Sequence, residues 1–443
     1  MKGARRVAAC TAAGLVAGLV VSGSGVARTP QSTAAETSGY IVVYDSGVNV
    51  AAATDVLERT KGFKSKFRYS TALQGFSAQL TPGQVAEIRK NSTVNFISPD
   101  GTAEAVGLIP IKPGETNPPG IRRIGASTNT MVHQPASGKA KVAVIDTGSG
   151  PHSDINRTPK GKNCTGGPQT ANDDHGHGTH VAGTIAARNN GAGVVGVTPD
   201  TKIVSVKVLH ANGSGSFAEV ICGIDWVAAH GPGTRKNIRV ANMSLSGGGT
   251  DDGNCGNTNF DAMHQAICGA VAKGVTFVVA ASNSNVDFAN SVPAAYNEVL
   301  TVTAMTDTDG VPGGLGPAPG CFPGNTDDSF ASFSNFAVTA SDQTHTIAAP
   351  GVCVLSTWLN NGYNTISGTS MASPHVAGTV ALCLGNGPGA PSGPCTGLTV
   401  AQIVQKIRTD AQAHATAGNG FNGDPFHPVA GRYYGYLAWA GGY

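Results

Sequence analysis

ISGTSMASPHVAG, running from Ile366 to Gly378, sets a serine between Thr369 and Met371, with a proline four residues on and small side chains around it. Small residues let a helix pack closely, and serine is a favoured helix N-cap, so Ser370 could stand there for capping alone. The same arrangement suits a hydroxyl nucleophile at a helix start that a backbone must approach. The stretch by itself leaves both readings open. The chain around it has to decide.

Upstream lie the apolar runs KVAVID, KIVSVKVL, RVANMSL and VTFVVAAS, interleaved with the helical patterns GTHVAGTIAAR, FAEVICGIDWVAAH and FDAMHQAICGAVAKG. Apolar runs without polar alternation, each followed by a helix, predict an α/β fold, a mainly parallel sheet with helices on both faces. Ligands of such sheets sit beyond the carboxyl ends of the strands. Nearer the N-terminus the pattern differs. YIVVY (Tyr40–Tyr44) reads as a strand, Ala51–Thr60 as a helix, YSTALQGFSAQL as strand and VNFISPD as the closing strand. Thr81, Pro82 and Gln84 form a capping-box start to a second helix. This β-α-β-β-α-β order predicts a small α+β, ferredoxin-like unit over 38–105. The Pro/Gly-rich IPIKPGETNPPG places a linker at 106–120, ahead of a larger domain over 121–443.

Of the 443 residues only 13% are charged, against about a quarter in an average soluble protein. The net charge of +2, without basic runs, argues against a nucleic-acid partner. Lys2, Arg5 and Arg6, a short apolar core from Val7 to Val21 and Gly25-Val26-Ala27 make residues 1–27 a secretory signal, too short in its apolar part for a membrane span. No membrane association is expected, and the chain is read as secreted. Beyond Cys10 of the signal stand Cys164, Cys222, Cys255, Cys268, Cys321, Cys353, Cys383 and Cys395. An even set in an exported chain reads as disulfides, and no C-x-x-C pair supports zinc. Proximity along the chain favours Cys255–Cys268, Cys321–Cys353 and Cys383–Cys395, leaving Cys164–Cys222.

Asp146 follows the strand KVAVI directly, His177 stands at the entry of a small-residue helix in DDHGHGTHVAG, and Asn283 lies just past VVAAS. Taken singly, Asp146 and Asn283 are ordinary turn residues. His175, His177 and His180 are candidates for a metal cluster, though no HExxH pattern accompanies them. Taken together with Ser370 they match what acyl transfer by serine needs: a base, an acid that orients it, and donors for an oxyanion.

At this point the chain resembles the subtilisin-like serine proteases. AVIDTG, HGHGTHVAG, NMSLSGG, AASN and GTSMASPHVAG stand in that family's order, from about Gly120 onward. The resemblance implies a serine endopeptidase with Ser370 as nucleophile, His177 as general base and then acid, and Asp146 orienting the imidazole. Asn283 and the backbone N–H of Ser370 would form the oxyanion hole, and no cofactor is needed for catalysis. The unit at 38–105 would be the inhibitory prodomain, its own chain's inhibitor and folding aid, cut off within the linker. His175 and His180 have no catalytic counterpart and read as structural.

The resemblance also implies substrate contacts. Ser244, Leu245 and Ser246 would pair with extended substrate, Ala280, Ala281 and Ser282 would form the opposite pocket wall, and Ser291 would lie near the pocket floor. The family usually has glycine where this chain has Ser282. No acidic residue accompanies Ser291, so cleavage after apolar or aromatic residues of protein and peptide substrates is expected, by a monomer. A calcium site common among relatives maps onto Asp154, the Asn190 side chain and the carbonyls of Ala192 and Val194, an all-oxygen set that suits Ca²⁺. Asn156, Asn212 and Asn242 begin glycosylation tripeptides, the last read as chance. Two other classes compete: an inactive binding protein on the same fold would not need all four catalytic positions, and an esterase would show G-x-S-x-G in the order Ser, Asp, His.

Overall fold

Alternate residues of the strand Lys141–Asp146 face opposite ways: Val142 and Val144 enter one apolar core, Ala143 and Ile145 another. A strand buried on both sides has no polar face to show, which is why its sequence runs apolar without alternation. Around it lies an eight-stranded sheet, in the order Ser329–Phe330, Leu300–Thr306, Thr276–Ala280, Ile238–Met243, Lys141–Asp146, Ile203–Lys207 and Lys162–Asn163, with Thr346–Pro350 also paired to Leu300–Thr306. All of these pairs are parallel except that of Ser329–Phe330. The helices His177–Ala186 and Thr369–Leu384 cover one face through Val181, Ile185, Val376 and Val380. Phe217–Ala229 and Ala262–Ala272 cover the other through Ile224, Val227, Met263 and Ile267.

This computed structural model describes residues 37–71, 73–100, 108–133, 140–385 and 393–443. The signal read at 1–27 lies outside them. The chain divides into two units, Met1–Glu104 and Ala105–Tyr443.

In the first unit, Ser38–Tyr44, Val50–Lys61, Ser65–Tyr69, Gly75–Leu80, Pro82–Ile88 and Val94–Pro99 follow in the order strand, helix, strand, strand, helix, strand. The strands form one antiparallel sheet with Ser38–Tyr44 between Gly75–Leu80 and Val94–Pro99. Val42, Leu57, Phe76, Leu80 and Ile88 fill its core. The Thr81 hydroxyl accepts the Gln84 N–H at 3.2 Å, and the Gln84 side chain accepts the Thr81 N–H at 2.8 Å, the capping box read from sequence.

The segment expected as a linker differs from that expectation over residues 108–120. Leu108–Pro110 pairs antiparallel with Met131–His133, Glu115–Thr116 pairs parallel with Gly193–Val194, and Pro119–Arg123 is helical. Prolines at the end of an edge strand and in a helix's first turn cost no hydrogen bond, so a Pro-rich composition here conceals regular structure. All four expected disulfides are formed: Cys164–Cys222, Cys255–Cys268, Cys321–Cys353 and Cys383–Cys395. Asn242 is fully buried, in keeping with a chance glycosylation match.

Candidate active site

Asp146 ends its strand with no exposed surface, and its Oδ1 accepts the Thr147 N–H at 2.7 Å and the His177 Nδ1–H at 2.7 Å. His177 opens the helix His177–Ala186, and the helix can come this close because Gly178 carries no side chain. A Cβ there would lie 1.9 Å from the Gly148 carbonyl oxygen. Gly176 caps this helix without a side-chain bond, and Asp173 supplies what it lacks. Its carboxylate accepts the N–H groups of His175, Gly176 and Thr179 at 2.8–2.9 Å and the hydroxyls of Thr147 and Thr179. Burial works against a charged His177, but the Asp146 carboxylate and its hydrogen bond outweigh it, with Asp173 adding to them. The imidazole pKa is therefore raised. His180 is buried and bonds the Val354 and Asn364 carbonyls, a structural role.

Ser370 is the second residue of the helix Thr369–Leu384 rather than its cap, which is Gly368. Pro374 stands four residues on, so the Ser370 carbonyl has no helical N–H to accept. The Ser244 hydroxyl donates to it instead, at 2.8 Å. Asn242 in turn donates to Ser244 Oγ at 2.9 Å and accepts from Ser373 Oγ at 2.8 Å. The Ser370 hydroxyl donates to the Ser244 carbonyl at 3.2 Å.

The Asn283 side-chain oxygen is held by the N–H and hydroxyl of Thr369, at 2.8 and 2.9 Å. That fixes the amide the other way round, with Nδ2 free to face outward. A Cβ built on Gly368 would lie 3.5 Å from Asn283 Nδ2 and 3.6 Å from the Ser370 nitrogen, so both donors border one space that only glycine leaves open. Ser282, where the family's glycine is replaced, has φ +83° and a buried hydroxyl without a hydrogen-bond partner among the described residues.

Thr147, His177, Leu209, Phe217, Ser244, Leu245 and Ser246 line a cleft of about 430 Å³, with no carboxylate among its lining residues. Ser244–Ser246 continue past the strand Ile238–Met243 with no strand assignment of their own. Ala280 ends the neighbouring strand Thr276–Ala280 and Ala281 and Ser282 follow it, all three buried, while Ser291 begins a short strand paired with Gly247–Gly248. The sequence reading assigns no role to Asp173, none beyond a chance glycosylation match to Asn242, and a structural one to His175, which lines the cleft beside His177. An acidic residue just ahead of a glycine-capped helix was the available signal for Asp173.

Asp154 and Asn190 come together, Asp154 Oδ1 accepting the Asn190 amide at 2.8 Å. Asp154 Oδ2 accepts from Val194 N–H and the Tyr363 hydroxyl at 3.2 and 3.3 Å. Glu115, which the sequence reading also missed, accepts the N–H groups of Asn190, Gly191 and Ala192 on Oε1, while its buried Oε2 has no partner among the described residues. Burial raises both carboxyl pKa values, and the Asp154 charge raises that of Glu115 further. Ala192 and Val194 thus meet the carboxylates through their N–H groups, and the Asn190 side chain through its NH₂. A buried carboxylate at Asp154 and a half-buried one at Glu115, with its orphaned oxygen, nevertheless fit a hard cation.

An α/β sheet with an Asp–His pair, a helix-start serine and an asparagine gathered at its carboxyl edge defines a subtilisin-like hydrolase fold. Residues 137–426 match the model of the Subtilase family, and residues 36–105 that of Peptidase inhibitor I9. The chain belongs to the subtilase family, the serine-peptidase class that the sequence resemblance implies. It is 35% identical over 324 residues to alkaline serine exoprotease A of Vibrio alginolyticus, covering 71% of this chain and 52% of that protein. It is 32% identical over 432 residues to subtilisin-like protease 7 of Arthroderma otae, covering 91% and 94% respectively. The chain therefore spans about half the length of the first relative and nearly all of the second. A cold-adapted subtilisin-like serine proteinase superposes with a TM-score of 0.50 at 30% identity, over 73% of this chain and 97% of that one.

Proposed function

We propose that the protein is a secreted serine endopeptidase that cuts extended polypeptides through an acyl-enzyme. The observation that carries the proposal is the 2.7 Å bond from His177 Nδ1 to Asp146, at the same sheet edge as the Ser370 helix start. With Nδ1–H committed to Asp146, the other ring nitrogen carries the lone pair a base needs. His177 would take the Ser370 proton as Oγ attacks the scissile carbonyl, then return it to the leaving amine. The oxyanion would be received by Asn283 Nδ2 and the Ser370 N–H, with the positive end of the helix behind them. Substrate would lie extended along Ser244–Ser246, its side chain before the cut bond in the pocket of Ala280–Ser282 and Ser291. Apolar or aromatic residues would suit that pocket, since none of the residues assigned to it carries a charge to pair with Lys or Arg.

Residues 38–105 would be the inhibitory prodomain. The strands from Leu108 and Glu115 favour a cut ahead of Leu108, leaving the paired segment on the mature enzyme. Four disulfides and the N-terminal signal support export. A structural calcium ion would be held by Asp154 and Glu115, with the Asn190 amide turned to offer oxygen.

The test is Ser370→Ala, expressed in a host without other extracellular proteases and compared with wild type by intact mass and peptide hydrolysis. An uncut, inactive precursor minus its signal is expected. Hydrolysis by the variant at the wild-type rate would overturn the assignment of the nucleophile.

A further inference from the structure

The helix Ala262–Ala272, away from the serine, carries a histidine whose two ring nitrogens keep different company. His264 is fully buried, its ring parallel to that of Tyr296 within 5° at a centroid separation of 4.0 Å. Tyr296 is itself fixed by its hydroxyl, which donates to Asp261 at 2.5 Å. His264 Nε2 is 2.8 Å from Glu298 Oε2. Nδ1 is 3.5 Å from Asp251 Oδ1 and 3.5 Å from Asp252 Oδ1, and makes no hydrogen bond among the described residues.

That asymmetry has a chemical meaning. An imidazole that donates Nε2–H to Glu298 turns the Nδ1 lone pair toward two carboxylate oxygens. Asp251 Oδ1 already accepts the Gly253 N–H at 3.0 Å and Asp252 Oδ1 those of Asn254 and Gly256 at 2.9 Å, so both oxygens are held in place around a point that a cation can occupy. A proton on Nδ1 is the competing occupant of that point, but Nδ1 lies 3.5 Å from each oxygen and so beyond the usual N–H···O limit of about 3.2 Å. The two separations of 3.5 Å from Nδ1 are close to the ligand–ligand edge of a tetrahedron, about 3.4 Å for bonds of about 2.1 Å, and all three atoms lie within 4.8 Å of one another. Glu298 then stands where a metal-bound histidine commonly keeps its outer carboxylate, fixing tautomer and ring orientation.

The geometry points to a site for a divalent transition metal of the zinc class, with His264 Nδ1, Asp251 Oδ1 and Asp252 Oδ1 as protein ligands. A mixed imidazole and carboxylate set suits zinc better than calcium, which takes oxygen. Asp251, with 15% of its side chain exposed, opens the fourth position to water. Asp252 already accepts the N–H groups of Asn254, Gly256, Thr258 and Asn259, so the metal would tie a prefolded loop to the helix. The Cys255–Cys268 disulfide fastens the same loop independently, and its sulfurs are thereby unavailable as ligands. The loop leads out of Gly247–Gly248, which pairs with Ser291–Val292. The site would therefore brace the back of the specificity pocket.

The experiment uses the full chain carrying Ser370→Ala, so that it does not digest itself, stripped with chelator and equilibrated with zinc sulfate. Metal content per chain is measured in this background and with Asp251→Asn added, a change at the rim of the site. One zinc per chain is expected in the first, bound at least tenfold more weakly in the second. Equal zinc content in the two, or none in either, overturns the proposal. Should Asp251→Asn fail to fold, zinc-edge absorption of the parent protein decides: one nitrogen with oxygen neighbours supports the site, and a shell lacking nitrogen or containing sulfur overturns it. A His264 Nδ1 that stays protonated by ¹⁵N NMR at pH 8 in excess zinc also overturns it, in favour of a histidinium clamp.

Discussion

Ser244 and Ser370 are joined twice, the Ser244 hydroxyl donating to the Ser370 carbonyl at 2.8 Å and the Ser370 hydroxyl to the Ser244 carbonyl at 3.2 Å. The first bond replaces the helical one that Pro374 cannot make. It ties the end of a central strand to the residue whose position matters most in the proposed chemistry. Ser244→Ala leaves that carbonyl unpaired, which costs about 1–3 kcal/mol where water cannot replace the donor. The variant is expected to fold with a lower thermal midpoint and a reduced kcat at little-changed KM. Wild-type kcat would show that the strand does not position the serine.

The Asp146–His177 pair predicts a pH profile. A free imidazole titrates near 6.5, and Asp146 raises the value for His177, so activity should rise with pH through a midpoint above about 6.5. In Asp146→Asn the charge that raises it is gone and burial, which lowers it, remains. The acid limb of kcat/KM should therefore move to lower pH, while kcat falls by about 10⁴ through loss of the oriented tautomer, a magnitude taken from trypsin. An unmoved acid limb would assign it to another group.

What was legible in the sequence follows from which forces act locally. Both-face burial writes itself as unbroken apolar runs, so Lys141–Asp146 and Thr276–Ala280 were readable. The capping box at Thr81 and Gln84 needs only neighbours in sequence, and it too was readable. The edge strands at Leu108 and Glu115 were not, because their partners lie at Met131–His133 and Gly193–Val194 and their own residues look like a linker. Glu115 reaches its loop across more than seventy positions, and no local pattern announces that.

Ser282 supplies a stability prediction. Its φ of +83° lies in the left-handed region, which costs a residue with Cβ about 1–2 kcal/mol relative to glycine. Ser282→Gly also removes a buried hydroxyl that lacks a hydrogen-bond partner among the described residues. The variant should melt higher by a few degrees, the gain being partly offset by the extra freedom of an unfolded glycine. A lower midpoint would mean that the hydroxyl stabilises the fold.

For calcium, Glu115 provides the sharper probe. If Glu115 and Asp154 share an ion, chelator should lower the thermal midpoint of the processed enzyme, and calcium at a hundredfold over its Kd should restore about 2.7 kcal/mol. Glu115→Gln keeps the shape but removes one of the two charges, so calcium should restore less and only at higher concentration. An equal calcium response in Glu115→Gln and wild type would take Glu115 out of the site.

Asn283 tests the oxyanion hole most directly. Its Oδ1 is bound by two donors of Thr369, so its Nδ2 cannot turn inward without breaking both bonds. In the proposed chemistry the donor would thus be aimed before substrate arrives, and no reorganisation would be required when charge develops on the carbonyl oxygen. Asn283→Ala removes that donor and leaves the Ser370 N–H. The expected loss is about 10²–10³ in kcat with KM nearly unchanged, since the bond forms with the oxyanion rather than with the ground-state carbonyl; the magnitude comes from subtilisin, a member of the same family. Gly368→Ala should act on the same space differently, by placing a methyl where the oxyanion would sit, so it should abolish activity more completely than loss of one donor does. Steady-state kinetics on both variants separate the two effects. Near-normal kcat in Asn283→Ala, with Gly368→Ala inactive, would leave the space in place and remove Asn283 from it.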